Sequence, residues 1–271
     1  NVTQSKLATK KIISKIMDRL TIIKVGGKVV EEPESLNALL DQFRKISGNK
    51  LLVHGGGRTA TEIAKRLGIE TKMVDGRRIT DADMLEVVTM VYGGLVNKKI
   101  VAGLQARDMN AVGLTGADLG LIKAHKRPVQ DVDYGFVGDV DDVNARELRM
   151  LIEENVIPVV APLTHDARGQ LLNTNADTIA SELAIELSNY FKVYLFYCFE
   201  KRGVLTDPND ESSVIYDLDY KLFDQYKTEG VISEGMIPKL DNGFRAKAKG
   251  VQEILITNPE NIATGRGTRL T

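Results

Sequence analysis

The chain has 271 residues, 43% of them hydrophobic, a formal net charge of −1 and one cysteine. That length predicts one large α/β domain or two small ones, and the charge balance gives no general pull toward nucleic acid or an anionic membrane. The lone Cys198 excludes an internal disulfide and a metal cluster built on cysteine, and it suits a reducing cytoplasm.

The first twenty residues, NVTQSKLATKKIISKIMDRL, repeat Ile12, Ile13, Ile16, Met17 and Leu20 at helical spacing, with Lys11, Lys15 and Arg19 elsewhere around the helix. They read as an amphipathic extension (1–20) ahead of a domain over 21–271, without the h-region of a secretory signal. From Thr21 the pattern alternates. TIIKV reads as a strand ending at Gly26-Gly27, ESLNALLDQFRKI as a helix, KLLVH as a strand, and TATEIAKRLG as a helix closing on Gly68. DADMLEVVTMVYGGLVNKKIVAGLQ is a long helical stretch, expected to break near Gly93-Gly94. No apolar run reaches the roughly 18 residues of a membrane span. NAVGL and LIKAHKR read as strands and GFVGDVDDV as a hairpin. ARELRMLIEEN then VIPVVAPL, and ADTIASELAIELS then KVYLFY, are helix-then-strand units, and EILIT is the last strand. Such alternation predicts a mainly parallel sheet covered on both faces, in two lobes hinged near residue 170.

In sheets of this kind ligands gather beyond the carboxyl ends of the strands. Two glycine corners lie there, KVGG (Gly26, Gly27) and HGGG (Gly55, Gly56, Gly57), each opening a helix. Bare N–H groups at a helix start favour an anion, and two corners suggest two neighbouring anions or one large one. Three other motif readings fail. GGGRTA satisfies a dinucleotide fingerprint but follows the second strand, HGGG lacks the G-x-S-x-G elbow of lipase-like hydrolases, and no Walker A loop is present. LLNTNADTIA crowds Asn173, Asn175 and Asp177 between a strand and a helix, more polarity than one helix cap requires. GMIPKL brings Lys239 onto the start of a helix, and GRRIT offers Arg77 and Arg78 before Thr80, the expected N-cap. One arginine there suits a carboxylate fork.

With these residues laid out, the chain resembles the amino acid kinase family, from about Thr21 to the C-terminal GTRL. The motifs IIKVGGK, LVHGGG, DGRRIT, MVYGGLVNKKIVAGL, GLTGADLG, GFVGDV, PVVAPL, LLNTNADTIA and GMIPKL fall in the family's order. The resemblance implies a three-layer αβα sandwich with a mainly parallel central sheet. Its N-terminal lobe would bind an acylated amino acid and its C-terminal lobe ATP. It further implies that Lys24 and Lys239 stabilise the transferring phosphoryl group and that Asp177 orients both. Gly56, Gly57, Arg78 and Asn173 would hold the substrate. Gly26, Gly27, Gly55, Glu200, Gly203, Val204 and Leu205 would serve the nucleotide and its phosphates. DGRRIT with NTNAD points to members that phosphorylate the side-chain carboxylate of an N-acylglutamate on the arginine pathway. Acetyl is the default acyl group and succinyl the alternative. One departure stands out: the family usually has TDVxGVL where this chain has YCFEKRGVL, with Glu200 in place of aspartate and Lys201 in place of a small apolar residue.

The inventory suits that chemistry. A carboxylate nucleophile has a reference pKa near 4.3, so at neutral pH it needs no general base. The obstacle is charge repulsion between a carboxylate and a triphosphate, which two lysines, glycine amides and Mg2+ would relieve. Magnesium is expected on the ATP phosphates and water rather than in a protein cage. The resemblance also implies a homodimer by default. A hexamer linked through residues 5–20 and an arginine effector go with an N-terminal helix in some members. No nucleic-acid or membrane partner is expected.

Overall fold

The protein is described from a computed structural model, covering residues 17–74, 76–232 and 235–271. In chain order the elements are β1 (Arg19–Val25), α1 (Gly27–Glu31), α2 (Pro33–Lys45), β2 (Asn49–His54), α3 (Gly57–Arg66), β3 (Met73–Val74), β4 (Arg77–Arg78), α4 (Ala82–Val88), α5 (Asn97–Gln105), β5 (Ala111–Leu114), β6 (Ile122–Lys126), β7 (Gly138–Val143), α6 (Ala145–Glu153), β8 (Ile157–Val160), β9 (Leu163–His165), β10 (Leu171–Asn173), α7 (Ala176–Leu187), β11 (Lys192–Cys198), β12 (Asp217–Leu218), α8 (Tyr220–Thr228), α9 (Ile237–Ala248), β13 (Glu253–Thr257) and β14 (Thr268–Leu270).

Eight strands form one sheet in the order β12-β14-β13-β11-β1-β2-β8-β5, parallel except where β14 runs against β13. Its central strands are apolar on both faces, as a sheet sandwiched between helices must be. Leu20 and Ile22 of β1 join one apolar cluster with α6, α7, α8 and α9, while Ile23 and Val25 join the other with α1 to α5. The three layers follow from that alternation, because successive side chains of a strand leave on opposite faces. Local signals set the element ends. Pro33 opens α2, the Asn175 side chain accepts the N–H of Asp177 and Thr178 to start α7, and Gly68 takes φ +76° just beyond α3.

Several expectations are corrected. Arg19 and Leu20 belong to β1, both pairing with β11 and Leu20 also with β2, rather than to an amphipathic helix. Met17 and Asp18 precede β1 in no regular element, and 1–16 lie outside the described residues. The long helix does not break at Gly93-Gly94. It widens into π turns over Thr89–Val96 that join α4 to α5, with Gly93 lying over the Leu163 and Thr115 side chains. The resulting Ala82–Gln105 helix is long and apolar enough to cross a membrane by length and composition, but Met84, Val87, Val88, Val91, Tyr92, Val96, Ile100 and Leu104 bury one side of it in the core. Thr80 is not the N-cap of α4; Asp81 is, accepting the Met84 N–H. GFVGDVDDV is not a hairpin by itself. It holds β7, which pairs antiparallel with β6 across a bulge. With β9 and β10 these strands form a separate four-stranded sheet. EILIT (β13) is not last either, since the chain returns as β14.

Candidate active site

Lys24 leaves β1 on the face covered by α7, and Asp177 stands in the first turn of that helix. Asp177 Oδ1 is 2.7 Å from Lys24 Nζ, and Oδ2 is 2.7 Å from Lys239 Nζ, which arrives from the first turn of α9. Three residues separated by up to 215 positions thus share one buried carboxylate. The Asp177 side chain is 8% exposed, Lys24 9% and Lys239 24%, so Lys239 borders the open side. Burial by itself would push the Asp177 carboxyl up. The ammonium groups of Lys24 and Lys239 outweigh that and hold it at about 2. Burial pulls the Lys24 ammonium below its ordinary range; Asp177 opposes that pull and the like charge of Lys239 adds to it.

The two glycine corners face each other beside this cluster. A Cβ on Gly27 would stand 3.8 Å from the Gly57 nitrogen, and one on Gly55 would stand 3.4 Å from the Gly27 nitrogen. Their N–H groups divide into two kinds. Gly26 donates to the Cys198 carbonyl and Gly55 to the Val25 carbonyl. Gly26 and Gly55, expected beside the nucleotide phosphates, thus spend their own N–H groups tying each corner to a neighbouring strand end. Among the described residues, the N–H groups of Gly27, Gly56 and Gly57 have no protein acceptor, as first-turn amides have no intrahelical partner. Gly56 adopts φ +150°, and a side chain there would run into the Tyr92 ring and Val96. The Glu31 carboxylate accepts the Thr59 N–H and so links α1 to the start of α3.

Arg78, buried at the end of β4, donates through Nη2 to the Gly57 carbonyl and the Thr61 hydroxyl, each at 2.8 Å. Its remaining contacts are Thr71, the Met84 sulfur and Tyr92, so all its partners among the described residues are neutral. A buried guanidinium without a counter-charge is suited to an anionic ligand. Arg77 is exposed. Asn173 ends β10, donates its backbone N–H to the Phe136 carbonyl, and donates its side-chain amide to the Thr80 hydroxyl at 2.9 Å.

On the C-terminal side, Gly203, Val204 and Leu205 line a small apolar pocket with Phe199, Ile232 and Met236. The Val204 N–H donates to the Thr268 hydroxyl, and a Cβ on Gly203 would collide with that oxygen. Glu200 is exposed and lies outside this lining, whereas Lys201 lies on it and reaches Glu211 and the Pro208 carbonyl. A larger cavity lies at the amino ends of β1, β11 and β13, the opposite end of the strands from Lys24. Sequence reasoning passed over Glu31, His54 and Asn97. His54 closes KLLVH immediately before the glycines and Asn97 sits within MVYGGLVNKKI, positions that were legible, but their meeting was not.

The site therefore gathers two lysines on one carboxylate, free amides at two helix starts and an unpaired guanidinium, an arrangement for bringing anions together. The chain belongs to the amino acid kinase family, whose profile matches residues 19–258. It is 61% identical over 256 residues to an acetylglutamate kinase of Bacteroides fragilis, covering 94% of this chain and 98% of that one. It is 62% identical over 253 residues to an acetylglutamate kinase of Bacteroides thetaiotaomicron, covering 93% and 98%. Among solved structures, a Streptococcus mutans UA159 protein superposes with a TM-score of 0.77 at 26% identity, covering 93% of this chain and 98% of that one.

Proposed function

We propose that this enzyme transfers the γ-phosphoryl group of ATP to the side-chain carboxylate of N-acetyl-L-glutamate. The products are N-acetyl-L-glutamyl 5-phosphate and ADP, the second step of arginine biosynthesis. The observation that carries this reading is the Asp177 carboxylate held between Lys24 and Lys239 beside the free amides of Gly27, Gly56 and Gly57. The names of the relatives supply the acyl group and favour acetyl over succinyl.

In this mechanism a carboxylate oxygen attacks the γ-phosphorus and the bond to the β,γ-bridging oxygen breaks, so ADP leaves and no proton needs to be removed. Lys24 and Lys239 face the charge that builds on the phosphoryl oxygens, and Asp177 keeps both ammonium groups aimed at one centre. The amides of Gly27, Gly56 and Gly57 bind oxygens of the phosphate and the acceptor. Arg78 receives a carboxylate of the acceptor, and Asn173 fixes its neighbouring groups. Gly203, Val204 and Leu205 border the nucleotide, so the acceptor lies against the N-terminal lobe and ATP against the C-terminal one. No group of three or more His, Cys, Asp or Glu among the described residues could cage a metal ion, and both Asp177 oxygens already face lysines. Magnesium would be carried by the nucleotide phosphates and water, where it would neutralise phosphate charge.

Removing residues 1–16, which leaves β1 whole, tests the hexamer and the arginine effect together: dimers and loss of inhibition are expected of a hexameric parent. A cytoplasmic setting agrees with the single buried thiol, Cys198. The reaction is tested by ADP release with MgATP and, in turn, N-acetyl-L-glutamate, N-succinyl-L-glutamate, glutamate and aspartate, with hydroxylamine trapping the acyl phosphate. Turnover of N-acetyl-L-glutamate with a hydroxamate product is expected. Silence with it, or equal turnover of free glutamate, would overturn the reading.

A further inference from the structure

Behind the HGGG corner lies a polar chain, buried at His54 and Asn97 and ending on the exposed Lys98, that the mechanism above does not use. His54 is the last residue of β2 and is fully buried on the face that carries α5. Its Nδ1 is 2.7 Å from the Gly55 carbonyl oxygen, and its Nε2 is 3.1 Å from Asn97 Nδ2. Asn97 Nδ2 also donates to the Val159 carbonyl at 2.9 Å, while Asn97 Oδ1 accepts from Lys98 Nζ at 3.1 Å. Lys98 Nζ donates in turn to the Gly113 carbonyl. Gly113 leaves the space in which the Asn97 side-chain oxygen sits, since a Cβ there would fall on that oxygen.

The donor and acceptor roles run in one direction along this chain. An ammonium can only donate, so the Asn97 oxygen faces Lys98 and its amide nitrogen faces His54. The amide nitrogen can only donate, so His54 Nε2 is the bare acceptor. The imidazole proton is then on Nδ1, where it is donated to the Gly55 carbonyl. Burial pushes the His54 pKa down to about 4, so the ring is neutral at pH 7, as this tautomer requires.

The Gly55 carbonyl belongs to the same peptide plane as the Gly56 N–H and points the opposite way. Glycine permits that plane to rotate, and Gly56 already occupies φ +150°. A flipped plane would turn a carbonyl oxygen toward an incoming anion in place of an N–H. We propose that His54 is a positioning residue: its Nδ1–H holds the Gly55 carbonyl out of the cleft and so aims the Gly56 amide at the reacting anion, with Asn97 fixing the tautomer. This rests on the phosphoryl-transfer reading of the site.

Two substitutions separate this role from simple packing. His54→Asn keeps an N–H close to the Nδ1 position; His54→Gln keeps only a group near Nε2. His54→Asn should retain kcat within about fivefold of the parent, and His54→Gln should lose about 100-fold in kcat, the cost of one misplaced oxyanion donor, with KM changed much less. Both variants are compared at matched thermal unfolding temperatures. Equal kcat in the two, or losses that follow unfolding temperature alone, would overturn the proposal. Nitrogen-15 spectra of the parent imidazoles at pH 7 give a readout independent of turnover. A protonated Nδ1 and bare Nε2 on His54 are expected, and the reverse tautomer would overturn the proposal even in an active enzyme. A parent silent with N-acetyl-L-glutamate would count instead against the reaction, while the spectra would still decide the tautomer.

Discussion

Replacing Asp177 by asparagine removes the one negative charge shared by two lysines and leaves the shape of the side chain nearly unchanged. The carboxyl is held at about 2 in the folded protein against an ordinary value of 3.8, a difference worth about 2 kcal/mol of folding stability. Because the folded value is the lower one, this contribution is complete above pH 3.8 and fades as pH falls through about 2. The substitution also strands Lys24, 9% exposed, without its counter-ion, and breaking a buried pair in this way costs about 3–5 kcal/mol. Lys239 keeps partial access to solvent and suffers less. Urea unfolding of Asp177→Asn and parent at pH 7 should therefore differ by about 3–5 kcal/mol. Acidification toward pH 2 should close about 2 kcal/mol of that gap, since only the parent has a carboxylate to protonate. Turnover should fall at least about 100-fold, because neither lysine is held on the phosphoryl centre. A gap under about 1 kcal/mol at pH 7, or one that does not change with pH, would refute the account of Asp177 as a charge clamp.

Lys239→Ala should lower kcat by about 100-fold or more while the Lys24–Asp177 pair keeps the fold, measured by ADP release and thermal unfolding; an unchanged kcat would return Lys239 to the role of a solvated surface lysine. Gly56→Val should abolish turnover and cost about 1–3 kcal/mol, since φ +150° is strained for valine and its side chain would meet Tyr92; near-parental activity would refute the reading of that corner. Arg78→Lys should raise KM for the acylglutamate by about 10- to 100-fold with a smaller change in kcat, because lysine cannot reproduce the fork that also holds the Gly57 carbonyl and Thr61; an unchanged KM would remove Arg78 from the acceptor site.

The sequence by itself determined the alternation of strands and helices, because each buried strand is a short apolar run and each covering helix repeats its apolar face locally. It also determined the ends of elements that a single residue controls, such as Asn175 before α7 and Gly68 after α3. Lys24, Asp177 and Lys239 could be singled out as chemistry-bearing residues beside strand ends and helix starts. What only the tertiary structure decided is whatever depends on partners far apart in the chain. The second sheet arises because β7 pairs with β6 and β10 with β9, whereas periodicity within GFVGDVDDV suggested pairing with itself. The continuous π-widened helix persists through Gly93-Gly94 because burial of Val91, Tyr92 and Val96 in the core overrides the helix-breaking tendency of glycine. The division of the glycine amides into tied and free ones depends on where Val25 and Cys198 end their strands. The proton on His54 is set by a lysine 44 positions onward, acting through Asn97. A periodic pattern records which face of an element is buried, but a hydrogen bond between elements depends on their arrangement in space, and that arrangement exists only once the sheet has assembled.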